Sequence, residues 1–180
     1  LYGGIEVTEW EGDNDILVQT TNDFRLKTKN LILCTNAFTA KLIDEDIVPR
    51  RGQVIVSERI ENLPCKGPHF YDSGYYYWRD IDQRILLGGA RNKDAEGENS
   101  YDLVPNDTVL AELKRFMNEQ IFGREVAIDY EWSGIMGMGK SNEKQPIVKR
   151  LSTNSIVAAR LGGMGVALSA NVAEEVVSLI

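Results

Sequence analysis

The chain has 180 residues, of which 43% are hydrophobic and 26% are charged, with a formal net charge of −7 and a pI near 4.8. A chain of this length buries about 70% of its unfolded surface and forms one domain or two small ones. The acidic balance argues against nucleic acid or an anionic membrane surface as the main partner, because both require clustered Lys and Arg. No apolar run approaches the roughly 20 residues of a membrane span, and with no signal peptide visible we expect a cytoplasmic protein.

Strands dominate the prediction for the first 47 residues. Apolar alternation and turn residues predict strands over residues 5–10, 16–21, 24–28 and 31–34. The last of these is wholly apolar, as expected for a buried strand that follows a meander. A short helix is expected over residues 36–42.

The middle of the chain predicts a second group of strands and one helix. Strands are expected over residues 54–57, 75–79, 84–89 and 127–133, the second and third forming a hairpin around residues 80–83. Asn106 or Asp107 caps a helix that ends near Gly123, and its apolar face is formed by Leu110, Leu113, Met117 and Ile121. Residues 134–145 are rich in glycine and polar residues and are expected to form a loop.

The cysteines and the single histidine exclude the common metal and nucleophile motifs. Cys34 and Cys65 lack metal-ligand spacing, and His69 follows a Lys-Gly-Pro stretch where we expect an ordinary loop residue. One histidine in such a place supports neither a Ser-His-Asp triad nor a Cys-His pair. Free thiols and no metal site are therefore expected.

The last 26 residues contain the most informative pattern in the chain. A strand over Ser155–Arg160 leads into Leu161–Gly165, which holds three glycines, and then into a helix. The helix is predicted from apolar residues at three- and four-residue steps: Val166, Ala167, Ala170, Ala173, Val176, Val177 and Ile180. A strand, glycine turn and helix in this order place backbone N–H groups and the positive end of the helix dipole where an anion can approach. The pattern predicts an anion or cofactor cradle, with a tight turn that serves only packing as the alternative.

Five segments, taken together and in order, resemble the C-terminal half of the FAD-dependent amine and amino-acid oxidoreductases. This group includes D-amino-acid oxidase, glycine oxidase and monomeric sarcosine oxidase. The segments are Val7–Glu11, Leu33–Thr39, Pro49–Gln53, Trp132–Gly134 and Leu161–Gly165. The resemblance implies an α+β fold, in which an antiparallel-sheet substrate domain is inserted in the C-terminal remnant of an FAD-binding α/β domain. Residues 1–47 and 137–180 would form the FAD-domain part, and residues 48–136 the substrate domain with its one helix.

The same resemblance assigns site residues. It places Val7 at the adenine side of FAD, Gly52 under the flavin, and a third group beside the dinucleotide, namely Cys34, Thr35 and Asn36. At the pyrimidine edge of the flavin it places Leu161, Gly162, Gly163, Met164, Gly165 and Val166. Candidates for the substrate pocket are Tyr75, Tyr77, Trp132 and Met136, and Trp78 is a further aromatic candidate. Simple packing is the alternative role for Tyr75, Tyr77 and Trp78.

The implied reaction is hydride transfer from the amine-bearing carbon to the flavin, which gives an imine that water hydrolyses. Two departures from the family leave the substrate open, whether an amino acid, a polyamine or another amine. Met136 stands where glycine oxidase has the arginine that binds the substrate carboxylate, and Ala167 stands where sarcosine oxidase has a lysine. Arg91 or Lys140 could supply a substitute cation, with a solvated role as the alternative. The electron acceptor, dioxygen or a quinone, also stays open.

The dinucleotide fingerprint Gly-x-Gly-x-x-Gly of this family has no counterpart in the chain. We therefore expect a C-terminal portion whose partner is a missing N-terminal FAD-binding half. By itself the chain is expected to bind FAD weakly or not at all, to be inactive and to self-associate. The competing hypothesis is a non-enzymatic α+β ligand-binding or interaction domain. A tRNA-modifying flavoprotein is disfavoured by the acidic balance.

Overall fold

The computed structural model describes residues 2–141 and 144–180 and divides the chain into two compact units. The first unit comprises residues 1–48 and 136–180, and the second comprises residues 49–135. Within the described ranges, no helix is both long and apolar enough to cross a membrane.

The described residues form eleven strands and two α-helices. The strands are β1 Val7–Glu11, β2 Ile16–Thr20, β3 Arg25–Thr28, β4 Leu31–Leu33, β5 Val48–Ser57, β6 His69–Tyr71, β7 Tyr76–Ile81, β8 Arg84–Gly89, β9 Ile128–Met138, β10 Ile147–Arg150 and β11 Ser155–Ala159. The helices are α1 Asp107–Phe116 and α2 Gly165–Ser178.

Two three-stranded sheets form the first unit. The strands β1, β2 and β3 make the predicted antiparallel meander, and Ile16 and Val18 of β2 point into the interior. The second sheet has the order β10-β11-β4, in which β11 is antiparallel to β10 and parallel to β4. All five residues of β11 are buried, as the apolar sequence of a strand covered on both faces requires.

The two helical segments predicted for the first unit are present, with two corrections. The segment after β4 is a 3-10 helix, Asn36–Lys41. The apolar face predicted for α2 is wrong in most positions, since Val166 is 99% exposed and Val177 is 69% exposed. The packed stripe is instead Val172, Val176 and Leu179, which contact Ile156 and Ala158 of β11. The apolar residues of α2 cover more than half of its circumference. Periodicity alone therefore could not identify the narrower stripe that packs on β11.

The second unit is built on a five-stranded antiparallel sheet of order β6-β7-β8-β5-β9. Helix α1 packs on one face of this sheet. The buried core residues that meet there are Ile55, Ile85 and Leu87 from the strands and Val109, Leu113 and Phe116 from the helix. Tyr76 stacks on Phe116 with ring centroids 4.3 Å apart, and Trp78 meets the same ring at 5.7 Å.

Helix α1 confirms its predicted start and end. The Asn106 side chain accepts a hydrogen bond from the Thr108 N–H at 2.9 Å, which satisfies one of the free donors of the first turn. The helix continues as a π-helical turn, Met117–Phe122, and stops at Gly123, whose φ is 63°.

The strand predictions for the second unit were right for the hairpin and incomplete elsewhere. The hairpin β7–β8 is confirmed, with Asp82 and Gln83 in the left-handed region at φ 48° and 60°. His69 lies in the short edge strand β6 and stacks on Trp78 at 5.2 Å, so its loop prediction is wrong. The three residues of β6 directly follow a proline and show no alternation of apolar and polar side chains, so the sequence carries no strand signal there. Their pairing with β7 determines their extended conformation.

The predicted glycine-rich loop begins later than expected. Strand β9 runs through Met138, so residues 134–138 are strand rather than loop. Strand β5, which is ten residues long, lies beside β9, and ladder pairing overrides the weak strand propensity of glycine there. Asn142 and Glu143 of the predicted loop lie outside the described residues.

Candidate functional site

Two loops meet at one edge of the sheet β10-β11-β4. Because β4 and β11 are parallel, the segment after Leu33 and the segment after Ala159 leave the sheet on the same side. The Leu161 N–H donates a hydrogen bond to Asn36 Oδ1 at 3.4 Å, which joins the two segments directly. The carboxyl edge of parallel strands is where α/β sheets place their ligands.

Asn36 is held in a backbone conformation that few residues tolerate. Its φ is 44°, in the left-handed region where Asn is among the better-tolerated side chains. A Cβ added to Gly137 would lie 2.7 Å from Asn36 Oδ1 and 2.9 Å from the Ala37 nitrogen. Only glycine at position 137 leaves room for this loop. The sequence showed Gly137 as one of several loop glycines, with no signal for this contact.

The glycine turn that follows β11 leads directly into α2. Gly162 has φ 55°, residues 162–164 form one 3-10 turn, and α2 begins at Gly165 without a side chain capping it. A Cβ on Gly162 would lie 3.1 Å from Met138 Sδ, whereas one on Gly163 would lie 3.8 Å from Met136 Sδ. The turn is therefore close-packed at Gly162 and looser at Gly163. Among the described residues no side chain caps α2, so N–H donors of its first turn stay free of side-chain acceptors.

A cavity of about 500 Å³ lies between β4 and α2, and we call it the helix cavity. Residues around it include Ile32, Cys34, Asn36, Gly162, Gly165 and Val176. Burial raises the pKa of the Cys34 thiol, so Cys34 contributes no negative charge to this space at neutral pH. The helix cavity is mainly apolar and has the glycine turn at one end.

A smaller cavity of about 220 Å³ lies on the other side of the turn, and we call it the turn cavity. Gly137, Met138, Lys144, Arg160, Gly163 and Met164 contribute to its wall. Leu161 and Gly162 border both cavities, so the turn separates the two spaces.

Arg160 anchors the start of the turn. Its φ is 60°, and its nearly buried guanidinium donates to Asp46 Oδ2 at 2.7 Å and to the Gln145 carbonyl at 3.0 Å. Asp46 also accepts from the Lys140 N–H at 2.8 Å. This ion pair was missed in the sequence, although an arginine directly after a wholly buried strand is a signal for a buried partner.

The remaining cofactor candidates lie outside the two cavities. Val7 lies in β1, in the other sheet of the first unit. Thr35 Oγ1 bonds to Thr39 Oγ1 at 2.9 Å, and Val166 is fully exposed. Gly52 lies in β5, in the second unit.

Residues on either side of Gly52 form a buried polar network that the sequence analysis did not assign. Arg51 donates through Nε and Nη2 to Glu98 Oε1 at 3.0 Å and 2.8 Å, and Gln53 donates to Glu98 Oε2 at 2.9 Å. Gln53 in turn accepts from the Asn106 N–H at 2.9 Å. The two-residue period of a strand could have indicated this network. Arg51 and Gln53 lie on the same face of β5 as the core residue Ile55, so both side chains are buried.

Three substrate-pocket candidates lie in the second unit and one in the first. Tyr75, Tyr77 and Trp132 are 43%, 37% and 46% exposed. Met136 lies in the first unit, with its sulfur beside Gly163. Burial raises the pKa of the Tyr77 phenol, and the positive charge of Arg91 opposes that rise.

Comparison with known proteins agrees with this arrangement of strands and helices. The family model described as FAD dependent oxidoreductase matches residues 1–179. The fold is similar to glycine oxidase from Geobacillus kaustophilus, with a TM-score of 0.82 and 16% identity over 99% of this chain and 48% of that chain. For iminodiacetate oxidase from Chelativorans sp. BNC1 the TM-score is 0.76, with 16% identity over 97% of this chain and 48% of the other. For L-proline dehydrogenase from P. horikoshii it is 0.72, with 20% identity over 97% and 49%.

The solved structures and the family model match this chain to different extents. The chain spans about half the length of the solved structures, and identities of 16% to 20% show the fold alone. Comparison with curated protein sequences gives no match. The family model, in contrast, covers the chain almost from end to end. On that evidence the chain belongs to the FAD-dependent oxidoreductase family.

Proposed function

We propose that this chain is the C-terminal portion of an FAD-dependent oxidoreductase that oxidises the C–N bond of an amine or an amino acid. The observation that carries the proposal is the junction of two loops at an uncapped helix start, where Leu161 N–H bonds to Asn36 and two cavities border the turn. Glycine oxidase, iminodiacetate oxidase and L-proline dehydrogenase share the fold, and the substrates in their names all contain a C–N bond.

The residues at the glycine turn fit a flavin. Gly163 leaves its backbone open, and the first turn of α2 keeps N–H donors that no side chain in the described part of the chain caps. A helix start of this kind stabilises a nearby negative charge by about 0.3–2 kcal/mol. Residues 161–166 would therefore hold the pyrimidine edge of the flavin, and Cys34, Thr35 and Asn36 would lie beside the dinucleotide. When bound, FAD supplies the two-electron acceptor for oxidation of the carbon next to nitrogen.

The protein's own contribution in this proposal is binding and positioning. Asn36 and the ion pair of Arg160 with Asp46 fix the backbone of the turn. The helix cavity offers a mainly apolar wall, and the neutral Cys34 thiol adds no charge that would repel an anionic ring. Residues 48–136 would form the substrate domain, with Tyr75, Tyr77 and Trp132 as its aromatic contacts. The part of the protein that completes the FAD site would lie in the half that this chain does not span.

The test is made on the complete protein, purified with its flavin. Amines and amino acids are added one at a time without oxygen, and bleaching of the flavin absorbance is followed. We expect at least one of these compounds to bleach the flavin. Flavin that stays oxidised with every amine would end the amine-oxidation proposal, and protein without flavin absorbance would favour the alternative of a ligand-binding domain that uses its glycines for packing. One observation favours the ligand-binding alternative: a Cβ added to Gly162 would lie 3.1 Å from Met138 Sδ, so this glycine serves close packing.

Two alanine variants on one strand test the cofactor site itself. Gly137→Ala forces a Cβ to within 2.7 Å of Asn36 Oδ1, whereas Gly134→Ala meets no atom within 4 Å. Displacing the Asn36 loop should lower the flavin-to-protein ratio of Gly137→Ala several-fold and leave that of Gly134→Ala unchanged. Overpacking of this kind costs about 1–3 kcal/mol. Equal flavin content in the two variants would show that the loop around Asn36 does not contribute to flavin binding.

A further inference from the structure

Three of the four methionines of the chain lie at the glycine turn. Met136 and Met138 are two positions apart on β9, so both side chains leave the strand on the same side. A Cβ added to Gly162 would meet Met138 Sδ at 3.1 Å. One added to Gly163 would meet Met136 Sδ at 3.8 Å. Met164 belongs to the turn itself. Two thioether sulfurs therefore pack against the backbone of the turn, and that of Met138 packs more tightly.

The turn cavity gives a small oxidant access to Met138. This side chain is half-buried and lines the cavity together with Met164, which is 60% exposed. The cavity volume is about 220 Å³, whereas about 10–15 Å³ is enough to hold a water molecule. A molecule as small as hydrogen peroxide therefore fits. Met117, the fourth methionine, is completely buried in the core of the second unit and is protected from such an oxidant.

Oxidation of a thioether changes both its size and its polarity. A peroxide transfers one oxygen atom to the methionine sulfur: the O–O bond breaks, the sulfur loses two electrons, and hydrogen peroxide leaves as water. The product is a sulfoxide, which is polar where the thioether was apolar. In Met138 the oxygen is added to the atom that packs against Gly162.

The glycine turn has little room for that oxygen. A Cβ at Gly162 would already be too close to Met138 Sδ for ordinary van der Waals contact, so the space beside this glycine is filled. An oxygen directed toward the turn displaces Gly162, and an oxygen directed away from it turns the side chain out of its packed position. Met164 differs, because at an exposed side chain the new oxygen is solvated and displaces nothing.

We propose that Met138 is a modification site for hydrogen peroxide, and that its sulfoxide displaces the glycine turn and so weakens flavin binding. The loss of flavin rests on the proposed function, because it requires the flavin at this turn. The oxidation of Met138 and the displacement of the turn do not depend on it. Hydrogen peroxide is the oxidant concerned, since a flavin that passes two electrons to dioxygen produces it.

The first experiment treats the complete protein with hydrogen peroxide and locates the sulfoxides by peptide mass spectrometry. We expect oxidation at Met164 and Met138 and none at Met117. Hydrogen–deuterium exchange of the peptide that contains residues 160–166 should then rise several-fold, because a displaced turn loses its packing. The inference is overturned if Met138 stays unoxidised while Met164 is converted, or if exchange is unchanged although Met138 is oxidised.

Two leucine variants assign the effect to one side chain. Met138→Leu keeps a similar apolar volume, which cores tolerate well, but has no sulfur to oxidise. Met164→Leu is the matched control, because it removes the exposed sulfur of the same turn. After peroxide, exchange of residues 160–166 should rise in Met164→Leu as in the wild type and stay unchanged in Met138→Leu. Both variants keep the two free cysteines, so thiol oxidation affects them equally. Equal responses of the two variants would contradict the assignment to Met138.

The flavin content separates this inference from the proposed function. In the flavin-loaded protein, peroxide should lower the flavin-to-protein ratio several-fold in the wild type and in Met164→Leu, measured after gel filtration, and leave that of Met138→Leu unchanged. Flavin retained despite complete oxidation of Met138 would overturn the inference and leave the amine-oxidation proposal intact. A complete protein that holds no flavin would end the proposed function, whereas the exchange comparison would still decide whether Met138 is the modification site.

Discussion

At the scale of single residues, Glu98 balances the buried charge of the second unit. It is completely buried, and its two oxygens accept from Arg51 and Gln53, while Arg51 also donates to the Val104 and Gly97 carbonyls at 2.6 Å and 2.9 Å. Every strong donor of Arg51 therefore points at the segment between β8 and α1. Such a pair contributes little net stability compared with an apolar core, but it is costly to break on one side only.

The first prediction concerns that pair. Glu98→Gln leaves the Arg51 guanidinium buried without a counter-charge, so we expect the free energy of unfolding to fall by about 3–5 kcal/mol. Chemical denaturation measures the change. Asp82→Asn breaks the exposed pair with Arg59, whose side chains are 57% and 64% exposed, and should cost less than about 1 kcal/mol. Similar losses in the two variants would show that the burial of Glu98 has no energetic consequence.

At the scale of elements, the segment between β8 and α1 is held by side chains rather than by secondary structure. Asp94 accepts from the Asn106 side-chain amide at 2.7 Å and from the Gly97 N–H at 3.0 Å, and Asn106 also caps α1. Asp94 thus ties the middle of this segment to the start of the helix. These hydrogen bonds, that from Asn106 first, lower the pKa of Asp94 below its usual value.

The sign of the pH dependence follows from that shift. Because the pKa of Asp94 is lower in the folded state, its stabilising contribution is present above the unfolded value of about 3.9 and is lost as the pH falls through the folded value. Asp94→Asn removes the titrating group, so we expect the Tm difference between wild type and variant to shrink on going from pH 6 to pH 2. Thermal melts across this range measure it. A difference that stays constant or grows on acidification would contradict the assignment.

At the scale of the whole molecule, α2 carries apolar residues that the described chain does not cover. Val177 and Ile180 border the helix cavity and are 69% and 63% exposed. Ile32 of β4, on the other side of this cavity, is 39% exposed. Uncovered apolar surface next to a strand edge is a common cause of association.

We therefore predict that the 180-residue chain self-associates in solution through the border of the helix cavity. Val177→Glu places a charge on that border and should shift the chain toward monomer in sedimentation analysis. Val166→Glu makes the same change on the same helix, at a fully exposed position that borders neither cavity, and should leave association unchanged. A monomeric wild-type chain, or equal effects of the two variants, would contradict the prediction.

The glycine turn of the candidate site and the bounds of α1 could be predicted from the sequence because their signals are local. The glycines of residues 161–165 predict a turn between a buried strand and a helix. Asn106 and Gly123 predict where the helix that includes α1 begins and ends. The resemblance to the FAD-dependent oxidoreductases rested on short segments in order, and the family match over residues 1–179 confirms it. Periodicity, caps and turn residues act within a few positions of each other, so one chain read in order is enough to see them.

What only the tertiary structure decided depends on residues far apart in the chain. Position 137 requires glycine because Asn36, about a hundred positions earlier, lies against it. Arg160 forms its ion pair with Asp46, which is similarly distant in sequence. Strand β9 extended through Met138 because a long neighbouring strand could pair with it. Burial and pairing are set by which segments come together in space, and no local pattern encodes that.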